Sequence, residues 1–79
     1  MHKVDNEIET HDIYLAAYLL VAGCSLESTK KQGMRKIFLF KNPAGSMQDL
    51  RQAYFSGAAS VKAHEYAQKI IAMKNLVHE

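Results

Sequence analysis

Lys30-Lys31-Gln32-Gly33-Met34-Arg35-Lys36-Ile37-Phe38-Leu39-Phe40-Lys41 is the stretch on which the fold turns. Gln32-Gly33 is a turn signal, because glycine takes positive φ without steric cost. Met34 to Lys41 then reads as a strand. Ile37 and Leu39 point to one face, Phe38 and Phe40 to the other. Both faces therefore want cover, and one layer of helices covers only one of them. The second face must meet a helix from another side, another strand or a second copy of the chain. On the near side of the turn, Ser25 to Lys31 alternates Leu26, Ser28 and Lys30 against Glu27, Thr29 and Lys31. That pattern suits a polar edge strand. The two segments make an antiparallel hairpin.

Helical periodicity flanks the hairpin. Ile13, Ala16, Ala17 and Leu20 fall at i, i+3, i+4 and i+7 in a helix running to Ala22, with Leu15, Leu19 and Val21 widening its apolar face. Tyr14 and Tyr18 form a second ridge four residues apart. Thr10 is the expected N-cap, Asp12 suits the helix dipole, and Gly23 offers a left-handed exit. Beyond the hairpin, Asn42-Pro43-Ala44-Gly45 is a turn and Ser46 opens a second helix with Asp49 in its first turn. Met47, Leu50, Tyr54 and Phe55 form its expected buried side, and Gly57 ends it. Ser60 is the expected cap of a last helix over 61–77, with Ala63, Tyr66, Ala67, Ile70, Met73 and Val77 as its apolar stripe and Ile71 and Leu76 broadening it. The expected organisation is a loose acidic lead over 1–9 and one α+β domain over 10–79. Its order is helix, β-hairpin, helix, helix, with a small antiparallel sheet packed against helices.

The chain has 79 residues, room for one domain with a small core. Its one cysteine, Cys24, excludes a disulfide within the chain and fits a reducing, cytoplasmic setting. The formal charge is only +2, but it is unevenly spread. Residues 1–12 set one lysine against four acids, a net of −3, whereas residues 28–48 carry Lys30, Lys31, Arg35, Lys36 and Lys41 and no acid, a net of +5. The longest apolar run, Ile13 to Gly23, is eleven residues, where a membrane span needs about 20. Leu20-Val21-Ala22-Gly23-Cys24 is spelled like a bacterial lipobox. The net negative start speaks against a signal peptide, so Cys24 is read as a small apolar residue past a helix end.

Thr10-His11-Asp12-Ile13-Tyr14-Leu15-Ala16-Ala17-Tyr18-Leu19-Leu20, Lys36-Ile37-Phe38-Leu39-Phe40, Tyr54-Phe55-Ser56-Gly57, and Val61 through Ile70 with Lys74 form a combination. It resembles a family of small bacterial and phage proteins classed as a domain of unknown function. The resemblance covers roughly residues 10–77. It implies one compact domain, implies that Gly23 follows a structural helix, and brings no activity with it.

No catalytic or cofactor-binding constellation stands out. His64-Glu65 begins like the zinc motif His-Glu-x-x-His, but Gln68 occupies the fifth position, and no three metal ligands converge in the pattern. Cys24 lacks a neighbouring base, and Ser46 and Ser60 read as caps. The glycines stand at separate element boundaries, which argues against a phosphate loop. No metal, cofactor or small-molecule substrate is expected, and no membrane partner. The expectation is a non-enzymatic binding module. Its first candidate surface is the basic hairpin, with Lys30, Lys31, Arg35, Lys36 and Lys41 set against nucleic-acid phosphates. The bland alternative is that edge-strand lysines serve solubility. The competing functional class is a protein-interaction module, a homodimer or a phage-type inhibitor of a host protein, using Tyr14, Tyr18, Phe38, Phe40, Tyr54 and Phe55.

Overall fold

Three strands and three helices follow one another as β1 (Glu7–Thr10), α1 (Ile13–Val21), β2 (Ser25–Gln32), β3 (Arg35–Lys41), α2 (Met47–Ser56) and α3 (Ala63–Val77). The structure is a computed structural model that describes residues 6–42, 47–57 and 59–78. The class is α+β. The sheet order is β1-β3-β2, with both outer strands antiparallel to β3. β1 and β2 therefore run parallel to each other with β3 between them, and α1 is the crossover that links them.

β3 is central because it alone carries apolar residues on both faces. Phe38 and Phe40 are fully buried beneath the helices. Ile8 of β1 and Leu26 of β2 stand opposite Phe40 and pack against the same core. Leu15, Ala16, Ala17, Tyr18 and Leu19 are consecutive and all buried, so α1 is enclosed on nearly every side. α1 packs chiefly against α3, and the small side chains of Ala16 and Ala17 permit a close approach. Met47 of α2 and Met73 of α3 complete the core.

The hairpin and three helices agree with the sequence reading, and the structure adds a strand. Residues 7–9 of the expected loose lead belong to β1, whose Glu7, Ile8, Glu9 and Thr10 pair with Lys41, Phe40, Leu39 and Phe38. The ladder continues one step further, where Asn42 N–H donates to Asn6 O at 2.7 Å.

Several local expectations are corrected. The cap of α1 is Asp12, whose Oδ1 accepts from Tyr14 N and Leu15 N at 2.9 and 3.3 Å. Thr10 Oγ1 instead accepts from Asp12 N at 3.0 Å, so it braces the cap from outside. α3 starts at Ala63 behind Lys62, with no side-chain cap, rather than behind Ser60. Its buried stripe is Tyr66, Ile70, Met73 and Leu76, while Ala63, Ala67, Ile71 and Val77 are exposed. Phe55, expected inside, is 64% exposed, because α2 turns only Met47, Leu50 and Tyr54 toward the core. The expected cap Ser46 and the turn residues Pro43 to Gly45 lie outside the described residues. Gly23, Gly33 and Gly57 have φ of 98°, 63° and 81°, as their element-ending positions require.

Candidate functional site

A β-bulge decides which way the hairpin cations face. Leu26 pairs with Phe40, but Ser28 pairs with Leu39, so Glu27 is the extra residue. Strict alternation would put Leu26, Ser28 and Lys30 on one face. The inserted residue reverses everything after it. Leu26, Thr29 and Lys31 therefore share the helix-side face with Phe38 and Phe40, whereas Ser28 and Lys30 share the opposite face with Ile37 and Leu39.

The five candidate cations are accordingly divided. Lys30, Arg35 and Lys41 stand on the face away from the helices, and Lys31 and Lys36 on the helix side. Lys36 reaches over the core edge, and its Nζ donates to Leu76 O at 2.7 Å. It thereby satisfies a carbonyl in the last turn of α3, where a cation also suits the helix dipole. Lys30 Nζ lies 3.4 Å from Glu9 Oε2. Arg35 Nη1 is 3.2 Å from His11 Nε2. Lys41 stands opposite Glu7 in the β1–β3 ladder and is half-buried. Lys31 is exposed and has no ion pair among the described residues. Between these flanks, Met34 is 100% exposed at the turn.

No helix covers the far face of the sheet among the described residues. It carries Ile37 and Leu39, both half-buried, at its centre. Glu7 and Glu9 of β1 line one side, and Ser25, Ser28 and Lys30 of β2 the other. Ser25 Oγ donates to Glu27 Oε2 at 2.6 Å beside that edge.

The six aromatic candidates do not form one surface. Tyr18, Phe38 and Phe40 lie in the core, and of these only Tyr18 borders an opening to solvent. Tyr14 and Phe55 are exposed and Tyr54 is half-buried. Phe55 is held by its neighbours: its ring meets Tyr54 edge-on at 5.1 Å, and the Arg51 guanidinium lies 5.9 Å from its centroid.

A second cluster is one the one-dimensional pattern does not display. Tyr18 of α1, Tyr54 of α2 and Tyr66 of α3, with Gly57, Ala59 and Val61, line a half-open recess of about 190 Å³. The Tyr18 and Tyr54 rings are 5.5 Å apart at an interplanar angle of 34°. Tyr66 Oη donates to Tyr14 O at 3.0 Å. Burial, helped by the charge of Asp12 and by Tyr66, including its hydrogen bond, pushes the Tyr54 phenol up to about 12. The Tyr66 position is visible in the sequence only as part of a helical stripe, and only the meeting of three helices reveals its role.

Cys24 is buried, and its N–H donates to Leu19 O at 2.9 Å just past α1. Burial pushes its thiol pKa up, which makes it a poor nucleophile. Among the described residues no three His, Cys, Asp or Glu side chains come together as a metal site. No helix among them is long and apolar enough to cross a membrane.

No curated protein and no solved structure matches the chain. The family-level comparison does find a match, and it extends across β1, the hairpin and all three helices. Matching over residues 5–78, the chain belongs to the family described as domain of unknown function DUF5659.

Proposed function

We propose that the chain is a non-enzymatic, cytoplasmic binding module that meets nucleic-acid phosphates with the tip of its β2–β3 hairpin. The observation that carries this reading is the tip itself. Lys30, Lys31 and Arg35 are exposed around the Gly33 turn, with no acid between residues 28 and 48. Lys31 and Arg35 are the principal contacts. Lys30 joins them by exchanging Glu9 for phosphate, because an exposed ion pair holds its partners weakly. Lys36 and Lys41 add field rather than contact, since both are half-buried and Lys36 already holds α3. About three phosphate contacts give weak, sequence-independent binding, with log K falling by about 2.7 per decade of salt on duplex DNA. Anisotropy of labelled duplex DNA and single-stranded RNA at several salt concentrations tests this. Binding at low salt with that slope, lowered by about two in the Lys31→Gln, Arg35→Gln double variant, supports the reading. No binding at low salt overturns it.

A second reading rests on the uncovered sheet face, where Ile37 and Leu39 lie between Glu7 and Glu9 on one strand and Lys30 on the other. A two-fold axis parallel to the strands would set β1 of one copy over β2 of its partner, acid against base. A homodimer formed this way buries the two aliphatic side chains. Light scattering across a wide concentration range tests it, and a strict monomer counts against it.

A further inference from the structure

We propose that the β2–β3 turn is a wedge that enters duplex DNA from the minor groove, with Met34 as the side chain inserted between base pairs. The inference rests on the phosphate reading above and names the DNA that the same tip selects: a duplex with a base step already loosened, as at a nick. β1 ends at Thr10, opposite Phe38, whereas β2 and β3 stay paired as far as Gln32 and Arg35. Beyond Phe38 the sheet is thus a two-stranded ribbon. Its residues from Thr29 to Arg35 are all exposed, those on the helix-side face included, so the ribbon projects clear of the helices. Gly33 has φ of 63°, and no residue other than glycine has positive φ among the described residues. Glycine with positive φ followed by a residue with negative φ is the type II′ combination, whose twist matches the strands it joins. The apex is therefore a defined turn, and it holds Met34 entirely in water, 100% exposed.

The flanks of the apex fit a groove between two phosphate walls. Proteins that wedge apolar side chains, methionine among them, between base steps do so from the minor groove, with Arg, Lys, Asn or Gln alongside. Gln32 and Arg35 form the last pair before the turn, and Lys31 precedes them. The bulge at Glu27 sets Lys31 on one face of the ribbon and Lys30 and Arg35 on the other. A ribbon tip inside a groove has a phosphate strand on each side, so cations on both faces find partners. A lipid surface lies in one plane and is held by several apolar side chains, of which the tip offers one. Single strands are held by stacking on aromatic rings, and residues 28–37 contain none. The size of the apolar contact narrows the ligand further. Burying one methionine gains about as much as unstacking one base step costs. On a continuous duplex the two offset each other, and only the phosphate contacts remain. At a nick the step is already loosened, so the burial of Met34 adds to the affinity.

Anisotropy titrations of the full chain at low salt compare a continuous duplex with the same duplex carrying one nick. The nicked duplex is expected to bind about tenfold tighter. Met34→Ser should abolish that preference and leave the continuous-duplex affinity and its salt slope unchanged, whereas Met34→Leu should keep the preference. 2-Aminopurine beside the nick should brighten with the native chain and not with Met34→Ser. Met34 is wholly exposed, so neither substitution disturbs the core. Equal affinity for the two duplexes, or a preference that survives Met34→Ser, overturns the wedge and leaves the phosphate reading standing. Binding to neither duplex overturns both. Met34-dependent binding to phosphatidylserine vesicles, tighter than to the nicked duplex, overturns the wedge in favour of a lipid surface.

Discussion

Lys30 Nζ and Glu9 Oε2 lie 3.4 Å apart although their strands do not touch. β3 separates them, so the pair spans two strand spacings, roughly 9–10 Å of backbone. Glu9 stands opposite Leu39 and Lys30 opposite Ile37, so the pair runs diagonally over the two aliphatic side chains. Both side chains are more than half exposed. A double-mutant cycle on Glu9→Gln and Lys30→Gln should therefore give a coupling of only about 0.2–1 kcal/mol in urea unfolding. Under the phosphate reading, Glu9→Gln alone should tighten nucleic-acid binding by releasing Lys30. An unchanged affinity would mean that Lys30 takes no part.

The two faces of β3 should respond differently to truncation. Phe38 is fully buried, and Phe38→Ala should cost about 3–5 kcal/mol. That is comparable with the whole stability of a domain this small, about 4–12 kcal/mol. Ile37→Ala, on the uncovered face, should cost much less in a monomer. A large, concentration-dependent loss at Ile37 would instead point to a covered face, that is, a dimer. Thermal melts at two concentrations distinguish these cases.

Asp12 and Thr10 divide the start of α1 between them, and the division is measurable. Asp12→Ala removes the acceptor for Tyr14 N and Leu15 N and should cost about 1 kcal/mol. Thr10→Val removes one brace on Asp12 N and should cost less. The reverse order in urea midpoints would reject Asp12 as the cap.

Tyr54 supplies an alkaline signature. Its folded phenol titrates at about 12 against an ordinary value of 10. The raised value means that the folded state keeps the proton after the unfolded state has lost it. Its stabilising contribution is thus complete below pH 10 and is lost as the pH rises from 10 to 12. Urea midpoints of the native chain should fall across that window more steeply than those of Tyr54→Phe. Parallel curves would mean that the phenol is no more buried in the fold than in the open chain.

Lys36 should behave as a structural lysine. Lys36→Met retains much of the apolar stem but loses the bond to Leu76 O, at a cost of about 1–3 kcal/mol. Its effect on nucleic-acid affinity should be small beside that of Lys31→Gln or Arg35→Gln. Hydrogen exchange should rise in the last turn of α3. Unchanged protection there would show that the contact contributes nothing to holding the helix end.

The parts of the fold legible in the sequence are those whose signal is local. Ile37 to Phe40 announced a strand wanted on both faces, and Ile13 to Ala22 announced a mostly buried helix. β1 was hidden because Glu7, Ile8, Glu9 and Thr10 hold only one apolar residue. Their alternation becomes a strand because β3 offers a free edge, a contact more than twenty-five residues away. The bulge at Glu27 was hidden for a related reason. Nothing in Leu26-Glu27-Ser28 disfavours plain alternation, and the irregularity exists only in the pairing with Phe40 and Leu39. That one residue decides the face of Lys30 and Lys31, so the candidate site was legible as a set of charges but not as an arrangement. Tyr18, Phe38 and Phe40 carried the same ambiguity. An aromatic residue has one spelling whether it fills a core or meets a partner.

The placement of β3 between β1 and β2 governs the order in which the molecule can be made. The two strands synthesised first have no hydrogen bonds with each other. Until Arg35 to Lys41 has emerged from the ribosome, neither has a partner, and a chain stopped at Gln32 contains no sheet at all. The hairpin then closes quickly across its two-residue turn, while β1 must wait for an edge that lies beyond α1. The first strand to be synthesised is thus among the last to be secured. A fragment cut between Gln32 and Arg35 should regain its sheet only when the other half is supplied in trans.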